Sequence, residues 1–163
     1  MINLSLKKNV RNWLKLSLGD PIAKILANNS HLTMTQLETL LIDALADNMA
    51  SKHVKYDEKA KLRQTKAAVS RGSFNRTLRQ AKKNVIQSIY TILLLGYLGL
   101  IENTDLYPYL EASNKLKAYT TTLADFMTHK KGAKEQLRII ETLRLELETT
   151  LNSLSKPWKT VSM

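Results

Sequence analysis

The sequence predicts an all-α fold, and three observations predict it. Five Gly and three Pro among 163 residues supply too few turns for many short strands. Apolar residues recur at intervals of three and four over long stretches, the period of one helix face. Strand-like alternation of apolar and polar residues is hard to find. With 44% hydrophobic residues, the chain can bury a real core as one domain, or as one domain with an appendage. We read a basic helical domain over 1–104 and a long C-terminal helical hairpin, for packing or dimerisation, over 105–163.

The elements follow in order. Residues 2–18 set Leu4, Leu6, Val10, Trp13, Leu14 and Leu18 among Lys7, Lys8, Arg11 and Lys15, an amphipathic and basic helix. Gly19 stops it. Asp20 before Pro21 is a good N-cap and first-turn pair for a short helix through Leu26, and "NNSH" is a turn. Thr33 with Gln36 three residues later has the capping-box signature. It opens a helix striped by Leu37, Leu40, Leu41, Ala44, Leu45 and Met49. From Tyr56 to Ala68 the chain is helical by propensity but poor in apolar anchors.

A second long helix begins after Val69, with Ser70 as its N-cap. Phe74, Leu78, Ala81, Val85 and Ile89 fall within about 80° of one another at 100° per residue. Arg76, Arg79, Gln80, Lys83 and Gln87 centre on the opposite side. One face is read as core and the other as an exposed cationic ridge.

This helix runs into "IYTILLLGYLGLI", residues 89–101, which is too short to span a bilayer, where about twenty apolar residues are needed. We read it as a central buried helix, with Gly96 and Gly99 allowing close approach or a break. "ENTDLYPYL" is a link containing a proline, Tyr109–Met127 is another helix, and "THKKG" is a turn. Ala133–Leu154 closes the fold with Leu137, Ile140, Leu143, Leu147, Leu151 and Leu154. That spacing lasts about three heptads, enough for a helical hairpin partner or a short dimer seam. "SKPWKTVSM" is a tail, and Trp13 and Trp158 are expected to anchor packing near the two ends.

Charge is the strongest functional signal. The net charge is +11, and its placement tells more than its total. Residues 1–84 hold 16 Lys and Arg against 6 Asp and Glu, whereas residues 85–163 hold 9 against 8. Within 52–83 there are 11 basic residues and two acidic ones, Asp57 and Glu58. Such a concentration of one sign attracts a polyanion, either nucleic acid or an acidic membrane surface. Solubility alone needs no such concentration.

Within that segment Val69-Ser70-Arg71-Gly72-Ser73-Phe74, followed by Leu78, Ala81, Lys82 and Lys83, resembles the second helix of a helix-turn-helix. It is similar to the variety found in region four of bacterial sigma factors and related small regulators. The resemblance covers about residues 57–87. It departs from the pattern in the preceding helix, where Arg63 and Gln64 replace an apolar residue and an Ala, and at Ala68, which replaces the turn glycine. No wing follows, because the sequence continues as helix.

The resemblance implies a recognition helix at 70–87 in the major groove, in a DNA-binding protein that acts as a transcription regulator or an architectural factor. Arg71, Ser73, Asn75, Arg76 and Arg79 would lie nearest the base edges, where Arg pairs with guanine and Asn with adenine. Lys59, Lys61, Lys66, Lys82 and Lys83 would contact phosphates. An RNA- or ribosome-associated basic helical protein is the alternative, and a peripheral membrane protein a more distant one.

Catalysis is not expected. His31, His53 and His129 have no metal-ligand spacing, the acids are scattered, and neither a phosphate loop nor a nucleophile elbow is present. The absence of Cys removes a thiolate nucleophile and fits a reducing compartment. The N-terminus lacks a signal-peptide pattern. The expectation is a cytoplasmic, nucleoid-associated protein without metal or cofactor. Nucleic acid is its partner, DNA before RNA, and no membrane is involved. A homodimer would form through Ile140, Leu143, Leu147, Leu151 and Leu154, since a single helix-turn-helix reads only a few base pairs.

Overall fold

The computed structural model describes residues 4–64, 69–128 and 133–156. Among these residues there are seven α-helices and no strand: α1 (Leu4–Gly19), α2 (Pro21–Asn28), α3 (Met34–Ala50), α4 (Tyr56–Ala60), α5 (Arg71–Tyr97), α6 (Asn103–Thr128) and α7 (Ala133–Leu154). They group into two compact units, Met1–Leu94 and Leu95–Met163. Lys66, Ala68, the "HKKG" of the expected turn and Trp158 lie outside the described residues.

Local chemistry sets the helix starts of the first unit. Asp20 caps α2, its side chain accepting from the Ala23 N–H at 3.1 Å, and Pro21 takes the first helical position, where its missing N–H costs nothing. The capping box of α3 is complete. Thr33 Oγ1 accepts from the Gln36 N–H at 3.2 Å, and Gln36 Oε1 accepts from the Thr33 N–H at 3.0 Å. Ser70 Oγ accepts from the Ser73 N–H at 3.2 Å and satisfies one of the free donors at the start of α5.

The core of this unit joins four helices. Val10 and Leu14 come from α1, Ile42 and Ala46 from α3, Ala60 from α4, and Phe74 and Leu78 from α5, with Val54 and Leu62 on either side of α4. Leu6, Trp13 and Tyr56 pack around them. The Tyr56 and Phe74 rings meet at 6.3 Å between centroids, tilted by 43°, within the favoured range for aromatic pairs.

Two expectations are corrected here. Val85 and Ile89, read as core, are 40% and 53% exposed. The apolar run 89–101, read as a central buried helix, is largely exposed as well, including Leu93, Leu94, Tyr97 and Leu98. The buried residues of α5 end at Ala81, sixteen residues before the helix itself does; period fixes the face a residue lies on, not how far along the helix the core reaches. The helix ends at Tyr97, and Gly99 then turns the chain with φ +68°, a conformation that glycine adopts freely. No helix among the described residues is long and apolar enough to cross a membrane.

In the second unit α6 packs against α7. α6 begins at Asn103, earlier than the sequence suggested, and takes Pro108 inside it. Pro108 is the sixth residue of the helix, beyond its four free N–H groups, so its ring removes one intrahelical bond. Glu102 N–H donates to Asp105 Oδ2 at 3.0 Å beside the same helix start. Ala112 and Tyr119 of α6 and Ile140 and Leu147 of α7 are buried, and the Tyr109 hydroxyl donates to the Leu154 carbonyl at 3.3 Å. Leu143, Leu151 and Leu154 are half-buried. The α7 stripe considered as a dimer seam is thus engaged within the chain.

Phe74 is fully buried, whereas Val85 lies on the same stripe but is exposed. Phe74→Ala should therefore cost about 3–5 kcal/mol of stability, the usual range for truncating a core aromatic. Val85→Ala should cost only a few tenths of that. Urea unfolding of both variants checks the contrast, and equal losses would place Val85 in the core.

Candidate nucleic-acid interface

The candidate site is the outer face of the first half of α5. Phe74, Leu78 and Ala81 are held in the core, so the geometry of the helix turns Arg76, Arg79 and Lys83 outward on one face at i, i+3 and i+7. All three are exposed, and among the described residues none lies within ion-pair distance of a carboxylate. Arg71 is exposed in the first turn; Ser73 and Asn75 are half-buried beside the ridge.

Two open grooves flank the ridge. On one side Thr33, Thr35 and Gln36 at the start of α3 face Arg76, Arg79 and Lys83. On the other, Tyr56 and Asn75 line a groove with Arg79 and Lys82. Arg79 and Lys83 belong to both grooves, so the ridge stands up between two channels. Asn84 sets its orientation. Its Nδ2 donates to the His31 carbonyl at 2.9 Å and to Gln36 Oε1 at 3.3 Å, while its Oδ1 accepts from Gln80 Nε2 at 2.9 Å. Asn84, Gln36 and Tyr56 were not picked out as part of this surface in the sequence. Gln36 and Tyr56 reach it only through tertiary proximity, which leaves no local signal, and Asn84, though next to Lys83 in sequence, makes its bonds to His31 and Gln36 through the fold.

The expected phosphate contacts divide. Lys61 and Lys83 are exposed. Lys82 is 54% exposed and pairs with Asp43 Oδ2 at 2.8 Å. Lys59 is a correction: only 2% of its side chain is exposed, so it cannot meet a phosphate. Its ammonium donates to Asp43 Oδ1 at 2.9 Å, Asp47 Oδ2 at 3.0 Å and the Asp43 carbonyl at 3.2 Å. These are three acceptors for three donors. The same ammonium sits 5.4 Å from the centre of the Tyr56 ring.

Arg63 is similarly internal. Its Nε donates to Glu38 Oε2 at 3.2 Å, and both side chains are buried. Glu38 Oε1 also accepts from the Gln64 N–H at 2.6 Å. Arg11 of α1 donates to the Arg63 carbonyl at 2.9 Å, and its own carbonyl accepts from Gln64 Nε2 at 3.3 Å. The departure noted at Arg63 and Gln64 has a physical reason. α4 ends at Ala60, and 61–64 is a turn tied by these groups to α1 and α3.

The charges shift as the pairing dictates. For Asp43, burial opposes ionisation, but hydrogen bonds from Lys82 and Lys59 outweigh it and hold the carboxyl below the ordinary range. Asp47 is lowered chiefly by the Val54 N–H, 2.8 Å away, with Lys59 adding to it. Lys59 is lowered by burial but raised more by the two carboxylates, ending above its usual value. Among the described residues no group of three His, Asp or Glu could hold a metal ion. No family model, curated protein or solved structure matches this chain.

The signs give a pH profile. Depressed carboxylates stabilise the fold above their unfolded pKa of about 3.9, and that contribution disappears as pH falls through their folded values. The raised Lys59 contributes fully below about pH 10.4 and is lost above its folded value. Asp43→Asn should thus destabilise the protein at pH 7. The gap from the parent chain should narrow as pH falls below about 3.9 and through the lowered folded value of Asp43, where the parent carboxylate is itself neutralised. Urea unfolding at a series of pH values checks this, and a gap independent of pH would show that Asp43 acts through packing rather than charge.

Proposed function

We propose that the first half of α5 binds duplex DNA, and that the protein is a transcription regulator or an architectural factor of the nucleoid. The observation that supports it is the unpaired ridge of Arg76, Arg79 and Lys83 on a helix anchored by Phe74 and Leu78. From Lys59 to Ile101 the sequence has no acidic residue, so α5 carries no carboxylate of its own, and among the described residues only Lys82 of its cations meets one from another helix.

In this reading the anchored helix enters the major groove as a helix-turn-helix recognition element does. Arg71, Ser73, Asn75, Arg76 and Arg79 approach base edges, while Lys61, Lys82 and Lys83 meet phosphates. The two flanking grooves leave room for the sugar-phosphate strands on either side of a helix seated in this way. Lys82 exchanges its Asp43 partner for a phosphate or keeps it, which weakens its share of the affinity relative to Lys83. DNA is favoured over RNA because a projecting helix suits the wide major groove of B-form duplex better than the narrow one of A-form RNA.

The triple variant Arg76→Ala, Arg79→Ala, Lys83→Ala should lose duplex binding and reduce the salt dependence of log K by about 0.9 for each phosphate contact removed. Its circular dichroism should stay unchanged, since none of the three faces the core. Fluorescence anisotropy with labelled duplex DNA, single-stranded DNA and structured RNA across a salt series measures both quantities. Unchanged affinity would remove the ridge from any binding role, and tighter binding to structured RNA would move the reading to that partner.

A further inference from the structure

Beyond Lys83 the chain holds no charged residue until Glu102, a stretch of 18 residues. In its helical part Val85, Ile86, Ile89, Tyr90, Ile92, Leu93 and Leu94 are all at least 40% exposed. Monomeric proteins seldom leave so continuous an apolar surface in water. It is also not a separate element. It belongs to the same uninterrupted helix as the ridge, so the two surfaces are fixed relative to one another.

We infer that this half of α5 is the seam of an antiparallel homodimer, and that the dimer presents two cationic ridges on one side, spaced by about one turn of a duplex. The significance of the spacing rests on the DNA reading above; the seam does not.

Periodicity identifies the centre of the seam. Ile86, Ile89, Tyr90 and Leu93 recur at i, i+3, i+4 and i+7, the pattern of a helix face that meets another helix. Their sequence is self-complementary about the midpoint of Ile89 and Tyr90. In an antiparallel pair Ile86 lies opposite Leu93 of the other copy, and Ile89 opposite Tyr90. Apolar groups then meet apolar groups throughout, as a two-fold contact requires.

Charge selects both the occupant and its direction. A charge-free surface can be desolvated against its own copy without stranding an ion. A parallel pair would set Arg76, Arg79, Lys82 and Lys83 of the two copies side by side. The antiparallel pair sends them to opposite ends.

Helix geometry then places the ridges. At 100° per residue the seam centre and the centre of Arg76, Arg79 and Lys83 differ by about 60°. A two-fold axis perpendicular to both helices leaves such ridges pointing to the same side of the pair. The centre of Arg76, Arg79 and Lys83 lies about 10 residues from the two-fold axis. At 1.5 Å per residue the two ridge centres are separated by about 30 Å, a few ångströms short of the 34–36 Å between successive major grooves on one face of DNA.

The test uses the full chain. Light scattering at micromolar concentration should give twice 18.5 kDa, and the pair Ile86→Glu and Leu93→Glu should return the mass to 18.5 kDa with helix content unchanged. Because the protein has no cysteine, cross-linking gives a second measurement that needs no disruption. Ile86→Cys with Leu93→Cys in one chain should oxidise to covalent dimers, since seven residues along a helix are about 10.5 Å apart, too far to bridge within a chain. Ile86→Cys alone should not cross-link. A parent mass of 18.5 kDa at every concentration, or efficient cross-linking by Ile86→Cys alone, would overturn the proposal. The ridge variant should remain a dimer while losing duplex DNA. A dimer that ignores DNA would sink the DNA reading and leave the seam standing, whereas a monomer with ridge-dependent DNA binding would do the reverse.

Discussion

Asp43 is the junction on which the first unit depends. It sits on α3 and receives Lys59 from α4 and Lys82 from α5, at 2.9 Å and 2.8 Å. One carboxylate thereby ties three helices. Lys59 would be costly to bury alone. It is tolerated because every ammonium proton has an acceptor and because Asp47 shares the charge. A buried pair of this kind adds little net stability compared with an apolar substitute, but loss of one partner is severe. Its structural contribution is register. It holds α4 against α3 at a position where the sequence offers α4 few apolar anchors.

The same arithmetic changes the meaning of the basic segment. A count of Lys and Arg between 52 and 83 treats every cation as available. Lys59 and Arg63 are instead spent inside the fold, against Asp43, Asp47 and Glu38. What faces solvent on α5 is a smaller set, concentrated on one face and left without carboxylates. A polyanion responds to that local, unpaired set rather than to the total.

Much of the architecture was legible in the residues, for reasons that differ from element to element. Asp20-Pro21, Thr33 with Gln36, and Ser70 act through bonds to backbone groups three positions away, so sequence spacing suffices to find them. The inward turn of Phe74, Leu78 and Ala81 followed from period alone. Val85 and Ile89 keep that period but not the burial, because period fixes the face and not how far along the helix the core reaches. Lys59 was misread because its carboxylate partners are 16 and 12 residues away, beyond any local pattern. Of the candidate ridge, the face was readable from 100° steps. The grooves and the Asn84 bonds beside it were not, because they join segments about fifty residues apart.

α5 carries a cationic surface at one end and an apolar surface at the other with no break between them. The angle between the two is consequently a matter of residue count. One residue inserted after Lys83 would swing one surface past the other by about 100° and lengthen the helix by about 1.5 Å. Seven inserted residues would restore the angle to within about 20° while adding about 10.5 Å. Length and phase are coupled in such a helix, and evolution or engineering can alter its reach without altering its aim only in steps close to whole turns.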